Sequence, residues 1–187
     1  LAGLNSSSIN CKIKTQATDD VGNYHWSATS WTFVIDSSAP TAFSITSPAS
    51  GTWTTVTSPA LAWTASSDAE SGLSKYQLYI DGSLNRDNIG TSVYWTTPAS
   101  ALSTGTHTWS VRAVNKAGLA TASSNTWTIG VDPGTPTGTA QASTYATNWT
   151  FNVPWTASPG ASGLNYVKLY YTTQTSTPYT WTQYGTT

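Results

Sequence analysis

The chain has 187 residues and a formal net charge of −1, so its length allows one or two domains and its charge gives no electrostatic reason to bind nucleic acid or acidic lipid. Only 8% of the residues are charged, whereas Thr and Ser together occupy 61 positions, so hydroxyl groups must solvate most of the surface. Ten Trp and ten Tyr residues exclude a disordered mucin-like tail, the single Cys excludes an internal disulfide framework, and the short apolar runs exclude a membrane span.

Short alternating apolar and polar segments, separated by Gly, Pro, Asp and Ser, predict an all-β chain, and the 3.6-residue period of an amphipathic helix is absent. Residues 1–36 contain two predicted strands, and residues 133–187 contain three. The segment of about 95 residues between these two contains seven predicted strands. This number of strands in this length is typical of an immunoglobulin-like sandwich. These seven are A (42–46), B (60–65), C (75–80), C′ (84–88), E (92–97), F (106–114) and G (125–131).

Two different parts of one unit each occur twice. Residues 17–22 and 31–36 return 96 positions later, whereas residues 61–66 and 71–73 return at offsets of 92 and 91. A repeat with a period near 95 fixes the architecture. We therefore predict tandem Ig-like antiparallel β-sandwiches, one complete and two partial: the C-terminal part of a repeat with strands F and G (1–36), a complete repeat (37–132), and the N-terminal part of a following repeat with strands A, B and C (133–187).

A sandwich divided within its fold exposes an apolar face and unpaired strand edges. One interpretation is that the chain is a window of a longer tandem array, which needs no special assembly. The other is that separate copies complete each other, with strands F and G of residues 1–36 adding to residues 133–187 of a neighbour in a head-to-tail polymer. In both interpretations the expected partners are copies of this repeat.

Several motifs of the central repeat resemble fibronectin type III and related bacterial Ig-like repeats. The segments 102–106 and 109–115 resemble the E–F corner and strand F, and Trp63, Tyr76 and the junction 131–136 match as well. The resemblance implies the sandwich fold and a spacer, adhesin, enzyme appendage or fibre subunit. The family's corner tyrosine is replaced by His107, and by Cys11 in the preceding copy, which puts the corner hydrogen bond in question.

The carboxylates do not predict a catalytic or metal site. Neither Asp68 with Glu70 in the B–C loop nor the pair 19–20 in the first F–G loop recurs between copies, so we expect these groups to cap turns. Each junction between repeats offers one carboxylate, Asp36 or Asp132, which is too few for calcium.

We also predict structural roles for the remaining reactive side chains. His107 is expected to pack in the core, His25 to lie in the solvated F–G loop, and Cys11 to act as a small buried hydrophobe. No nucleophile, zinc or nucleotide motif occurs in the sequence. We therefore predict no catalytic residue, metal ligand or cofactor, and not an enzyme.

Tryptophans provide the candidate binding residues. Five are expected in the core: Trp31, Trp63, Trp109, Trp127 and Trp155. Four others, near turns or in Thr-rich strands, form either an interface or a sugar-stacking face, with the interface favoured by the sparse charge around them. These candidates are Trp53, Trp95, Trp149 and Trp181, and the candidate glycosylation sites are Asn5 and Asn148 in Asn-x-Ser/Thr sequons.

These features favour a structural repeat of an extracellular or cell-surface microbial assembly, such as a filament, sheath, surface layer or adhesive stalk. One alternative is a carbohydrate- or host-binding adhesin module that uses exposed tryptophans. Another is a spacer of a secreted glycoside hydrolase.

Overall fold

The structure is a computed structural model that describes residues 9–141 and 152–185, with side chains from Lys12 onward. Strands, turns and irregular segments make up these two ranges, and no helix lies within them. The strands are β1 (Ile9–Ile13), β2 (Gln16–Thr18), β3 (Tyr24–Trp26), β4 (Trp31–Ile35), β5 (Ile45–Ser47), β6 (Thr52–Thr54), β7 (Leu61–Trp63), β8 (Leu73–Ile80), β9 (Ser83–Ile89), β10 (Trp95–Thr96), β11 (Gly105–Asn115), β12 (Ala120–Ala122), β13 (Trp127–Val131), β14 (Thr137–Ala140), β15 (Trp155–Ser158), β16 (Tyr170–Tyr171) and β17 (Thr182–Gln183).

The central unit is a two-sheet sandwich, so the predicted all-β, Ig-like fold is confirmed. One sheet has the order β10-β7-β5, and the other has the order β6-β13-β11-β8-β9, with β12 also paired to β11. The pairs are antiparallel except for β6 beside β13. In Ig nomenclature the sheets are E-B-A and A′-G-F-C-C′, and each of the seven predicted strands is present.

Two strands depart from the sequence prediction. Strand A does not continue as one element, because Pro48 has no N–H group to extend the ladder after β5, and the chain crosses to the other sheet as β6. Strand G is divided into β12 and β13, of which only the second was predicted. Alternation along a strand identifies its buried face, but it does not identify the sheet to which the strand belongs.

The core lies between the inward faces of the two sheets. Leu78, Val111 and Ile129 are fully buried on the larger sheet. The Trp63 ring on the smaller sheet packs against Tyr76 on the larger one, with ring centroids 5.5 Å apart. Aromatic rings of this size bury large apolar areas, so this contact joins the two sheets at the centre of the core.

The flanking segments repeat the pairings of the central unit. Strands β1 and β4 pair in the register of β11 and β13 displaced by 96 residues, and β2 and β3 repeat the pairing of β11 with β12. His25 therefore lies on β3 and not in a loop, although it is solvent-exposed as expected. In the following segment, β14 pairs with β15 as A with B, and β16 pairs with β17 as C with C′.

The Trp53 ring lies directly over Gly130, where β6 runs beside β13. A Cβ atom added at Gly130 would overlap three atoms of the indole ring. The ring can approach the sheet this closely because glycine has no side chain. One side of Trp53 is thus in contact with strand G, and 41% of the residue stays exposed.

His107 occupies the position of the missing corner tyrosine and makes the corner hydrogen bond. Its Nε2 lies 3.0 Å from the Ser103 carbonyl oxygen, four residues upstream, and its Nδ1 lies 2.7 Å from Asp81 Oδ2. Asp81 begins the Asp-Gly turn between β8 and β9, and its Oδ1 accepts the Thr108 N–H at 2.8 Å. The expectation that His107 only packs is therefore incomplete, because both imidazole nitrogens face acceptors.

This geometry favours the imidazolium form of His107. The hydrogen bond to Asp81 is the main cause that raises the pKa of His107, and the same bond lowers the pKa of Asp81. The stabilising contribution of His107 is fully present below its unfolded-state pKa, near 6.5, and is lost as the pH rises through the raised folded-state pKa.

We expect Gly130→Ala to destabilise the central unit by about 1–3 kcal/mol, because the new methyl group must displace the Trp53 ring from the sheet. Urea unfolding followed by tryptophan fluorescence measures the change. Gly90→Ala is the matched control, since a Cβ there lies 3.7 Å from Val93 Cγ2, an ordinary contact. Equal losses in both variants would contradict the proposed packing.

We expect Asp81→Asn to reduce the free energy of unfolding by about 1 kcal/mol near pH 6 and by less as the pH rises through the raised pKa of His107, because the neutral imidazole loses its charge-assisted bond. Denaturation measured from pH 5.5 to 9 tests this. Asp87→Asn, which removes a carboxylate bonded to Lys75 and Gln77, should show no such trend over this range. A parallel trend in both variants would contradict the assignment.

Candidate functional site: the junctions between units

A carboxylate follows the last strand of two successive units. Asp36 directly follows the end of β4, and Asp132 directly follows the end of β13, 96 residues later. Strand G ends at these positions, and the chain then continues into the next unit. The two aspartates are therefore at equivalent places, where each unit meets its successor.

At the first junction, Asp36 contacts three parts of the central unit. Its Oδ2 accepts hydrogen bonds from the Ser71 hydroxyl and, at 2.8 Å, from Asn115 Nδ2. Its Oδ1 accepts the Ser38 N–H at 3.0 Å. Glu70 also contacts this linker, because its Oε1 accepts the Ser38 hydroxyl at 3.0 Å. The end of the preceding unit is thus bonded to the B–C loop and to strand F of the central unit.

Asp68 organises the B–C loop that carries these donors. Its Oδ1 accepts the backbone N–H groups of Glu70 at 3.2 Å and of Ser71 and Gly72 at 2.9 Å. This is the turn-capping role expected from the sequence. The backbone of the loop reaches this conformation through Gly72, whose φ of +76° is in the left-handed region.

The first junction contains more carboxylates than the sequence indicated. Asp68 and Glu70 lie beside Asp36, because Asn115 Nδ2 bonds to both aspartates and Glu70 bonds to the linker. The expectation of one carboxylate per junction is therefore wrong here, since the folding of the B–C loop was not visible in the sequence. Among the side chains of residues 12–141 and 152–185, no three His, Cys, Asp or Glu groups are placed to hold a metal ion.

Asn115 is a residue of the first junction that the sequence did not single out. It is 1% exposed, and its Oδ1 accepts the Leu119 N–H at 2.8 Å, capping the F–G turn. The equivalent Asp19 caps the preceding F–G turn in the same way through Asn23. An amide at position 115 can also donate to Asp36, whereas a second carboxylate would repel it. The Asp-to-Asn difference between the copies was the available signal.

At the second junction, Asp132 makes a closely related set of bonds. Its Oδ2 accepts both the backbone N–H of Ser162, at 2.8 Å, and the Ser162 hydroxyl, at 2.7 Å. Its Oδ1 accepts the Gly134 N–H at 3.2 Å. Gly160 lies so close that an added Cβ would overlap the carboxylate. Asp132 is buried in this arrangement.

The donors around both carboxylates favour the ionised form. The Ser71 hydroxyl is the main cause that lowers the pKa of Asp36, and the Ser162 hydroxyl is the main cause that lowers the pKa of Asp132. Hydrogen bonds to the charged form act in this direction. Both groups are therefore acceptors at neutral pH.

The candidate tryptophans lie on different elements of the fold, and Trp53 is close to the second junction, because the carbonyl oxygen of the next residue, Thr54, accepts the Asp132 N–H at 2.9 Å. Trp53 is on the five-strand path of the larger sheet, and Trp95 is on the edge strand β10 of the smaller sheet, so the two rings do not share a sheet. Trp181 lies next to β17 and packs edge-on against Tyr179 at a centroid distance of 6.1 Å. All three are more than one third exposed. Trp149, Asn148 and Asn5 lie outside the described residues.

The tryptophans predicted in the core divide between the units. Trp63 and Trp109 are buried, and Trp127 packs edge-on against Trp109. Trp31 and Trp155 are instead 76% and 57% exposed, so the prediction is wrong for these two. In the central unit, other strands cover Trp63 and Trp127. Within the described ranges, no equivalent strands cover Trp155 and Trp31.

The central unit is similar in sequence to known bacterial proteins. Residues 40–111 match the sequence profile of the bacterial Ig domain. The chain is 35% identical over 157 residues to chitinase A1 of Niallia circulans, an alignment that covers 79% of this chain and 21% of the chitinase, so the chain spans about a fifth of that protein.

A solved structure, the fibronectin(III)-like modules of Clostridium thermocellum CbhA, has 21% identity and a TM-score of 0.44, over 66% of this chain and 64% of that one. No helix in the described residues has the length and apolar character needed to cross a bilayer. Residues 40–111 of the central unit thus match the bacterial Ig domain, and the E-B-A and A′-G-F-C-C′ sheets form the sandwich expected of such a domain.

Proposed function

We propose that this chain is a structural, non-catalytic part of an extracellular or cell-surface protein, in which Ig-like repeats follow one another in tandem. The observation that carries this proposal is the recurrence of one pairing register. Strands F and G of the preceding segment and of the central unit pair identically over eight positions, displaced by 96 residues. A chain built from such repeats positions its ends at a set distance and transmits load between them.

The flanking segments expose residues that are buried in the central unit. Trp155 is 57% exposed, whereas its equivalent Trp63 is 3% exposed. Phe33 is 37% exposed, whereas its equivalent Ile129 is fully buried. The two segments thus present the same inward faces as a complete sandwich, and burying such faces is favourable by about 25 cal/mol per Å².

We propose that these faces are covered by strands of other Ig-like repeats, either neighbours in a tandem array or another copy in a head-to-tail polymer. The preceding segment presents strands F and G, and the following segment presents A, B, C and C′. These are complementary sets of one fold. Exposed apolar faces with unpaired edges favour pairing with such strands over interaction with water.

A second candidate is a spacer module of a secreted glycoside hydrolase. The similarity to chitinase A1 favours it, because the aligned region is a fifth of an enzyme named for acting on chitin. The central unit would then separate other domains of a longer protein and take no part in the chemistry. This role is compatible with the same tandem arrangement.

The geometry gives less support to a sugar-binding adhesin. A stacking platform needs rings that face one ligand together, whereas Trp53 and Trp95 lie on different sheets and one side of Trp53 is against Gly130. Trp95 adjoins the exposed Tyr94 and Val93, which is an apolar edge of the kind found at interfaces. Both observations favour protein contact over sugar binding.

We expect the 187-residue protein to self-associate as its concentration rises, because the flanking faces complement each other. Phe33→Ser and Trp155→Ser should each weaken association about tenfold or more, since each removes a large apolar contact. Sedimentation velocity over a concentration series measures this effect.

Leu84→Ser is the matched control for self-association, because Leu84 is 50% exposed on the complete central unit. A chain that stays monomeric at all concentrations would contradict the proposed partners. Equal weakening by Leu84→Ser would show that the association does not use the flanking faces.

A further inference from the structure

In both junction carboxylates, Oδ1 has one structural role and Oδ2 has another. In each case Oδ1 accepts the backbone N–H two residues later, at Ser38 or Gly134, which starts the linker with an Asx turn. In each case Oδ2 accepts the hydroxyl of a serine in the B–C loop of the next unit, at Ser71 or Ser162. One oxygen thus fixes the direction of the linker, and the other contacts the following repeat.

The contact across the junction is not imposed by local sequence. Asp36 is separated from Ser71 by 35 positions, and Asp132 is separated from Ser162 by 30. The same bond forms although the intervening segment differs in length by five residues. In both loops the serine precedes a glycine in the left-handed region, Gly72 at φ +76° and Gly163 at φ +87°. The recurring elements are the aspartate and this Ser-Gly turn.

The two junctions supply the second donor to Oδ2 in different ways. In the first junction the Ser71 N–H bonds to Asp68, and Asn115 supplies a second donor to Asp36. In the second junction Pro159 stands where Asp68 stands in the central unit, and the Ser162 N–H bonds directly to Asp132. Each Oδ2 therefore has two donors from the following unit.

We infer that the aspartate at the end of strand G and the Ser-Gly turn of the next B–C loop form an interdomain latch, which fixes each repeat relative to its successor. Its partner is the next repeat of the same kind. The inference rests on the proposed function, because a latch of this kind operates between successive units of an array. A charge-assisted bond gives it direction as well as strength.

The test is limited proteolysis of the 187-residue protein, with cleavage in linker residues 36–41 and 132–137 located by mass spectrometry. We expect Ser71→Ala to accelerate cleavage of the first linker, and Ser162→Ala that of the second, each by about fivefold, because an opened junction exposes the linker. Ser83→Ala, on β9 and away from both junctions, is the matched control and should leave both rates unchanged.

A double variant tests whether the pair acts as a unit. Asp132→Ala with Ser162→Ala should cleave no faster than the faster single variant, because one broken bond already opens the latch. Unchanged linker cleavage in both serine variants, or equal acceleration in Ser83→Ala, would overturn the inference. The thermal unfolding temperature of the central unit should be unchanged in Ser162→Ala. A large fall in that temperature would also overturn the inference, because it would show general unfolding.

The two proposals can fail separately. If the proteolysis results overturn the latch but the protein still self-associates, the proposed tandem function is unaffected. Normal latch behaviour in a chain that does not self-associate would contradict the proposed partners and leave the latch in place.

Discussion

The contact between Trp63 and Tyr76 joins the two sheets, and the arrangement of the first junction depends on it. The rings lie 5.5 Å apart, and the buried Tyr76 hydroxyl accepts the Ser66 N–H at 2.7 Å. Ser66 begins the B–C loop, in which Asp68 then orients Ser71 toward Asp36. Because a buried donor without a partner is costly, the hydroxyl fixes where the loop leaves strand B. Core packing and the junction are thus parts of one connected arrangement.

Polar side chains in this protein stabilise chain reversals by bonding two elements at once. Asp81 bonds strand F through its Oδ1 and the His107 ring through its Oδ2, so the turn between C and C′ is held to the E–F corner. Asn115 caps its own turn and also donates to Asp36. With few charged residues available, each carboxylate at such a place has a specific structural partner.

The sequence predicted most of the fold and less of the junction. Alternation located all seven strands, because the inward residues of a half-buried strand recur at every second position. It could not show that strand A changes sheets after Pro48, since both sheets of a sandwich produce the same pattern. The bond between His107 and Asp81 joins residues 26 positions apart, and Asn115 meets Asp36 over 79 positions. Such pairs become visible only when the loops are placed in three dimensions.

The chemistry of the junction carboxylates determines how their contacts respond to salt. Asp36 and Asp132 accept from hydroxyl, amide and peptide donors, and none of these donors carries a net charge. Mobile ions weaken attraction between opposite charges far more than they weaken a short hydrogen bond to a neutral donor. These individual bonds are therefore expected to weaken little as the salt concentration rises, unlike an exposed ion pair such as Lys75 with Asp87.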